Sequence, residues 1–301
     1  MTSSSHRPRA TSTPDTPPDT PPPKAPPAPD AAGGAPQPRH PEPTLPAPAD
    51  VLSEQPLTSP SGTTYRVLHT REMDAYDRPA PATARPPTAP SENYAGTARR
   101  AAKLSLATAA LEPFADVQAL VASLVPDQAM IDHQPPITTD AGSGRVAEEE
   151  RAVQVRAFIY AASRENDNDY HLIVGRDRAL TPPVYLTMEL SGLPPAASAA
   201  FAALEAARTA YNTFFAGRLP GPTYDFYDPP IPVEIEGSLF FDMTHSSGPA
   251  PGPQTLKPHM PTIWEVHPIS RITFEPAAPS APAPGAAGEG PGVPVTRPAT
   301  P

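Results

Sequence analysis

The stretch Val184-Tyr-Leu-Thr-Met-Glu-Leu190 places Val184, Leu186, Met188 and Leu190 at alternate positions. Successive side chains of an extended chain point to opposite faces, so these four residues share one face. Strict alternation of apolar and other residues predicts a half-buried β-strand. This strand is the third in a series, and its neighbours in the chain decide the fold.

Two further strands are predicted before this stretch and two after it. Residues 152–159 and 170–174 are separated by the charged turn 164–169, which is typical of a hairpin. A helix follows over 198–216, where large apolar residues recur every three or four positions. The last two strands are predicted over 233–242 and 262–274.

Three strands, a helix and two strands form the element order of an OB-fold, a five-stranded barrel. Over residues 151–276 the chain therefore resembles an OB-like β-barrel domain, with the helix between strands three and four. The competing topology is an α+β sheet with the helix on one face. We predict a β-rich fold with α additions.

The strand Trp264-Glu-Val-His-Pro268 carries a second resemblance. It is similar to a Trp-Glu-hydrophobic-His-Pro strand in an uncharacterised bacterial protein family. The resemblance implies no activity, because none is known for that family.

The remaining chain divides by composition. Residues 1–61 and 277–301 are rich in proline and alanine and poor in large apolar residues, which predicts disordered tails. Residues 62–150 are expected to form an N-terminal extension with a short strand at 63–70 and one or two helices. The helices are predicted at 98–111 and 117–125, with a strand over 103–106 as the alternative to the first. Asp116 is the predicted N-cap of the second helix.

Charge and composition limit the classes of function. The chain has a net charge of −10 and no cysteine, and neither a signal peptide nor a long apolar run is recognisable. The acidity disfavours non-specific binding to nucleic acid or to an anionic membrane. Thiolate metal sites and disulfides are excluded. A cytoplasmic location is the default expectation.

Two groups of polar residues could carry chemistry. The first comprises Asp242, His245, Glu265 and His267 at or beyond the ends of the last two strands. Carboxylates and imidazoles bind divalent metals, so Asp242, His245 and His267 are candidate metal ligands and Glu265 a candidate general base. Alternatively, these residues form a turn and a solvated strand face. The metal interpretation requires their side chains to converge within about 5 Å.

The second group is a set of candidate binding residues. Asp169 and His171 share a strand face, and antiparallel pairing could bring Glu189 beside them. A cross-strand ion pair is the simpler interpretation. Tyr224, Phe226 and Tyr227 could stack on a ligand or pack across the barrel opening.

These observations favour a non-catalytic binding or interaction domain whose ligand is unknown. A protein or small polar ligand is the more plausible partner for an acidic chain. The alternative is a metal-dependent hydrolase, of the phosphodiesterase or nuclease kind, that uses a divalent metal ion at the barrel rim.

Overall fold

The computed structural model describes residues 44–74, 94–248 and 251–277, and its β-rich fold is a single mixed sheet of eight strands with few helices. The prediction of a β-rich fold is confirmed. Tail predictions for 1–43 and 278–301 lie outside the described residues. Within these described ranges, no helix has the length and apolar character needed to span a bilayer.

The strands are, in chain order, β1 (Val51–Thr58), β2 (Thr64–Thr70), β3 (Leu111–Phe114), β4 (Ala152–Arg164), β5 (Tyr170–Gly175), β6 (Tyr185–Leu190), β7 (Asp225–Phe241) and β8 (Trp264–Phe274). The α-helices are α1 (Arg100–Lys103), α2 (Val117–Ala122), α3 (Asp127–Ile131) and α4 (Phe201–Phe214). Short 3-10 helices lie at Pro48–Asp50, Ala147–Glu149, Met243–His245 and Lys257–His259.

The sheet is partly ring-like. Its strand order is β1-β2-β7-β8-β6-β5-β4-β3, and β7 also pairs with β4. Pairing therefore runs from β4 through β5, β6, β8 and β7 and returns to β4. All of these contacts are antiparallel except the parallel pair β6–β8.

The prediction of a barrel of exactly five strands is wrong, because the sheet has eight strands. The strands β1 and β2 add to one side of the ring through β7, and β3 adds to the other side through β4. The strand β1 uses residues 51–58, which composition assigned to the N-terminal tail. Its alternate residues are mostly exposed, so the apolar pattern that marks a buried strand is missing.

Two further predictions changed at their boundaries. The helix expected over 98–111 is only Arg100–Lys103, and residues 111–114 form β3 instead. Arg99 and Lys103 are buried by contacts with the rest of the molecule, and such tertiary contacts override helix propensity. The strand β7 begins at Asp225 rather than 233, since its proline-rich first half pairs with β2 and β4. Asp116 caps α2 by accepting a hydrogen bond from Ala119, as predicted.

The main core lies on the inner face of the ring. It contains one set of alternate residues from β4 to β8, including Leu172, Met188 and Val266. Trp264 belongs to the same core, and its Nε1–H donates to the carbonyl oxygen of Val125 at 2.8 Å. The side chain of Tyr211 from α4 closes part of this core, where it lies 5.1 Å from the ring of Tyr170.

Candidate metal centre

The opposite, outer face of β5, β6 and β8 carries a charged cluster that is as buried as the core. Side chains alternate between the two faces of a strand, and the residues on either side of each cluster residue in these strands face the ring interior. The cluster residues themselves therefore lie on the outer face. We call it the polar cluster and define it by eight residues: Lys103, Asp169, His171, Glu189, Asp242, His245, Glu265 and His267. The side chains of Asp169, His171 and His267 are fully buried, and that of Glu265 is 1% exposed.

Two chain segments cover this face. The first is residues 94–105, whose backbone is bound to the sheet: Tyr94 N–H donates to Leu193 O, and Ala95 N–H donates to Asp167 O. The second is the loop after β7, where Asp242 caps a 3-10 helix by accepting from Thr244. Lys103 comes from the first segment and approaches Asp242 at 3.7 Å and Glu189 at 4.0 Å.

Arg145 fixes the first covering segment in place. Its guanidinium donates to the carbonyl oxygens of Ala102 and Ser105 on that segment, and to those of Leu239 and His267 on β7 and β8. Burial lowers the pKa of Arg145 to about 10, which leaves it charged at neutral pH. One side chain thus joins the cover to the strand that carries His267.

The structure places Asp242, His245 and Glu265 in one group, as the sequence suggested, but puts the fourth candidate, His267, in a different group with Asp169 and Glu189. Three groups each place one ligand atom per residue within 4.8 Å of the others. We call the group of Asp169, Glu189 and His267 the inner triad. The group of Asp242, His245 and Glu265 is the outer triad, and the third group combines Glu165, His171 and Glu189.

The inner triad has the atoms of a ligand set. His267 Nδ1 lies 2.7 Å from Glu189 Oε2, and His267 Nε2 lies 3.4 Å from Asp169 Oδ2. Despite the short distances, neither nitrogen has the angular geometry of a hydrogen bond, and Asp169 Oδ2 and Glu189 Oε2 have no hydrogen-bond partner either. Asp169 Oδ1, in contrast, accepts from Gly192 N–H at 2.6 Å. That contact fixes the carboxylate and leaves Oδ2 directed at the histidine.

Glu265 connects the two triads. Its Oε2 lies 3.5 Å from His267 Nδ1, and its Oε1 lies 3.9 Å from His245 Nδ1. Neither carboxylate oxygen has a hydrogen-bond partner. Two unsatisfied oxygens on a buried carboxylate are costly to the folded protein, which makes a cation the natural partner.

His171 differs from His267 because both of its nitrogens have hydrogen-bond partners in the protein. Nδ1 contacts Glu165 Oε1 at 2.5 Å, and Nε2 lies 3.3 Å from the hydroxyl of Thr187. A histidine engaged on both sides acts as a structural hydrogen-bonding residue. The third group is therefore the weakest of the three as a ligand set.

Buried acidic groups outnumber the buried lysine in the polar cluster. Burial raises the pKa of Asp169 and of Glu265 well above the usual range, and the neighbouring carboxylate of Glu189 adds to the effect. The pKa of Glu189 itself is lowered: burial opposes ionisation, but His267 and Lys103 outweigh it. Lys103 has a raised pKa because Glu189 and Asp242 overcome its desolvation.

Burial also lowers the pKa of His245 and of His267. Burial thus favours the uncharged form of each imidazole. A neutral imidazole has the free lone pair that metal coordination requires.

The predicted aromatic residues lie elsewhere. Tyr224 and Phe226 belong to a second apolar cluster, and Tyr227 lies in the main core. All three rings are buried, which favours the packing alternative over a stacking surface.

Sequence patterns gave no indication of Lys103 or of Tyr94. Lys103 lies in an alanine-rich segment with no chemical motif. The buried hydroxyl of Tyr94 has no hydrogen-bond partner, and burial together with the nearby carboxylates of Asp169 and Asp167 raises its pKa, which Lys103 partly offsets. Only the folded structure brings these two residues to the cluster.

A cavity of about 230 Å³ lies away from the cluster, between β1, β2, β7 and the end of α4. His69 Nδ1 and Asp225 Oδ1 are 2.6 Å apart in its wall. Arg218 also lines it, but the guanidinium is engaged with the carbonyl oxygen of Pro56.

Comparison with protein-family models, with curated proteins and with solved structures finds no match for this chain.

Proposed function

We propose that this protein is a binding domain whose ligand is a divalent metal ion, held by Asp169, Glu189 and His267. The observation that carries the proposal is the inner triad: two carboxylates and an imidazole that converge within 4.8 Å, with facing atoms that lack hydrogen bonds of normal geometry. Mixed oxygen and nitrogen ligands suit zinc, manganese or iron. An imidazole gives one nitrogen to one ion, and with one atom from each residue the three candidate ligands lie within 4.8 Å of one another.

An OB-like architecture is part of this proposal. The cyclic pairing of β4 to β8, with α4 between β6 and β7, follows the connectivity of an OB barrel. OB-folds bind ligands on the face of strands two and three and at the loops after strands one and four. The corresponding elements here are β5, β6 and the loops that contribute Asp169 and Asp242.

The binding test uses the full chain. Metal content is measured after purification, and the chelator-stripped protein is then titrated with Zn²⁺ or Mn²⁺ by calorimetry and followed by thermal unfolding. A free ion concentration of about 100 times the Kd should raise the free energy of unfolding by about 2.7 kcal/mol. Glu189→Gln should abolish this shift, whereas Glu236→Gln, which changes a carboxylate outside the cluster, should retain it. A wild-type protein that neither contains nor binds either ion would overturn the proposal.

Metal-dependent hydrolysis is a second candidate function, and Lys103 favours it. A buried ammonium beside a metal site can stabilise the negative charge of a phosphodiester transition state. The test is hydrolysis of bis(p-nitrophenyl) phosphate by the Mn²⁺-loaded protein. Turnover that Lys103→Met abolishes, with Mn²⁺ still bound, supports catalysis; equal turnover by both proteins rejects this role for Lys103.

A further inference from the structure

The outer triad offers a second set of metal ligands beside the first. Asp242, His245 and Glu265 each place one ligand atom within 4.8 Å of the other two. They come from the end of β7, the 3-10 helix that follows it, and β8, so their approach depends on the fold and not on local spacing. Asp242 Oδ1 accepts from the amide and the hydroxyl of Thr244, which orients the carboxylate.

The two oxygens of Glu265 serve different triads. Oε1 faces His245 Nδ1 at 3.9 Å, and Oε2 faces His267 Nδ1 at 3.5 Å. This side chain is 1% exposed and neither oxygen has a hydrogen-bond partner, so protein donors do not account for its orientation. A carboxylate with one oxygen toward each of two ligand groups has the arrangement of a bridge between two cations.

Carboxyl groups outnumber lysines in the polar cluster. The polar cluster contains four carboxyl groups, and Lys103 is its single lysine. Lys103 is shared between the triads, since it approaches Glu189 of the inner one and Asp242 of the outer one. Because this one ammonium is shared between two groups of carboxyl residues, neither triad has a lysine of its own within the polar cluster.

We propose that the polar cluster is a dinuclear centre, in which a second divalent ion binds Asp242 and His245 and the carboxylate of Glu265 bridges the two ions. This inference rests on the proposed metal-binding function and gives that site its stoichiometry. Ions that share a bridging carboxylate in protein sites lie about 3.5–4 Å apart.

The test counts ions per chain and measures their separation. Chelator-stripped full-length protein is titrated with Mn²⁺ by calorimetry, and the loaded protein is studied by electron paramagnetic resonance. We expect two Mn²⁺ per chain with a spin-coupled spectrum. His245→Gln should reduce the stoichiometry from two to one and give the spectrum of an isolated ion. Glu236→Gln, outside the cluster, should leave both results unchanged.

The possible failures are distinguishable. One Mn²⁺ per chain with an uncoupled spectrum in the wild-type protein overturns the dinuclear centre and retains the proposed function. Two ions without spin coupling overturn the bridge. No bound ion overturns the proposed function itself. The wild-type stoichiometry and spectrum decide the inference even where His245→Gln fails to fold, which circular dichroism would show.

Discussion

The two faces of β5, β6 and β8 are built from alternate residues of the same three strands, yet one buries apolar side chains and the other buries charged ones. The inner face carries Leu172, Met188 and Val266, and the outer face carries Glu189 and His267. Both faces are buried. Apolar burial on the inner face stabilises the fold, whereas charge burial on the outer face costs free energy unless it is compensated. The metal ion proposed for the outer face would supply this compensation.

The largest effect is expected from Lys103→Met. Removing one member of a buried ion network leaves its carboxylate partners uncompensated, at a cost of about 3–5 kcal/mol to the metal-free protein. Urea denaturation of the chelator-stripped protein measures the loss. Lys257→Met, at a partly exposed lysine outside the cluster, is the control. Equal midpoints for the two variants would mean that Lys103 does not compensate the buried carboxylates.

On the inner face, Leu172→Ala should cost about 2–5 kcal/mol, because it leaves a cavity in the main core. Its effect on metal stoichiometry should be nil, since the side chain points away from the cluster. Urea denaturation measures the loss of stability, and metal analysis of the same variant measures the number of bound ions. A fall in bound metal that matches the fall in stability would show that the faces are not independent.

Glu265→Gln should have the opposite sign in the metal-free protein, a gain of about 1–3 kcal/mol at pH 8, because it removes a carboxyl group whose ionisation is opposed by burial. The pKa of Glu265 is raised in the folded state, so its unfavourable contribution is absent below the unfolded pKa and develops as pH rises through the folded pKa. The gain should therefore shrink as the pH is lowered from 8 toward 4. A gain that does not vary with pH would contradict the buried-charge explanation.

The smallest effect is expected from Arg271→Gln, further along β8. Arg271 is half exposed and pairs with Glu236 at the surface. Exposed ion pairs contribute about 0–1 kcal/mol, so stability should change little and metal binding not at all. Urea denaturation in low and high salt measures the change in the free energy of unfolding, and metal analysis measures binding. A loss as large as that of Lys103→Met would remove the distinction between covered and exposed parts of the outer face.

Much of the ring was predictable because its strands have clear period-two patterns. The bounds predicted for β4, β5, β6, β8 and α4 differ from the structure by a few residues, apart from the longer β4. The missed strand β1 has mostly exposed residues, and the first half of β7 contains three prolines, which are depleted in strands. Pattern alone carries little information about such segments.

The candidate site was predictable in its residues but not in its environment. Alternation put His171, Glu189, Glu265 and His267 on the face opposite the core, which in most sheets is solvated. Their burial depends on residues 94–105, whose backbone partners outside the segment are about 40 to 100 residues away in the chain. No local pattern encodes such a contact, and for this reason Lys103 could not be identified. The metal and binding roles of these residues stay predictions.

The four carbonyl contacts of Arg145 have a kinetic consequence. The segment that contains Lys103 can leave the sheet only if Arg145 releases the carbonyl oxygens of Ala102 and Ser105, while it still holds those of Leu239 and His267. An ion enclosed beneath that segment would then dissociate at the rate at which the segment opens, whatever the strength of its ligand bonds. The time for which the ion is retained would then be independent of its affinity, and Arg145 would control the retention time.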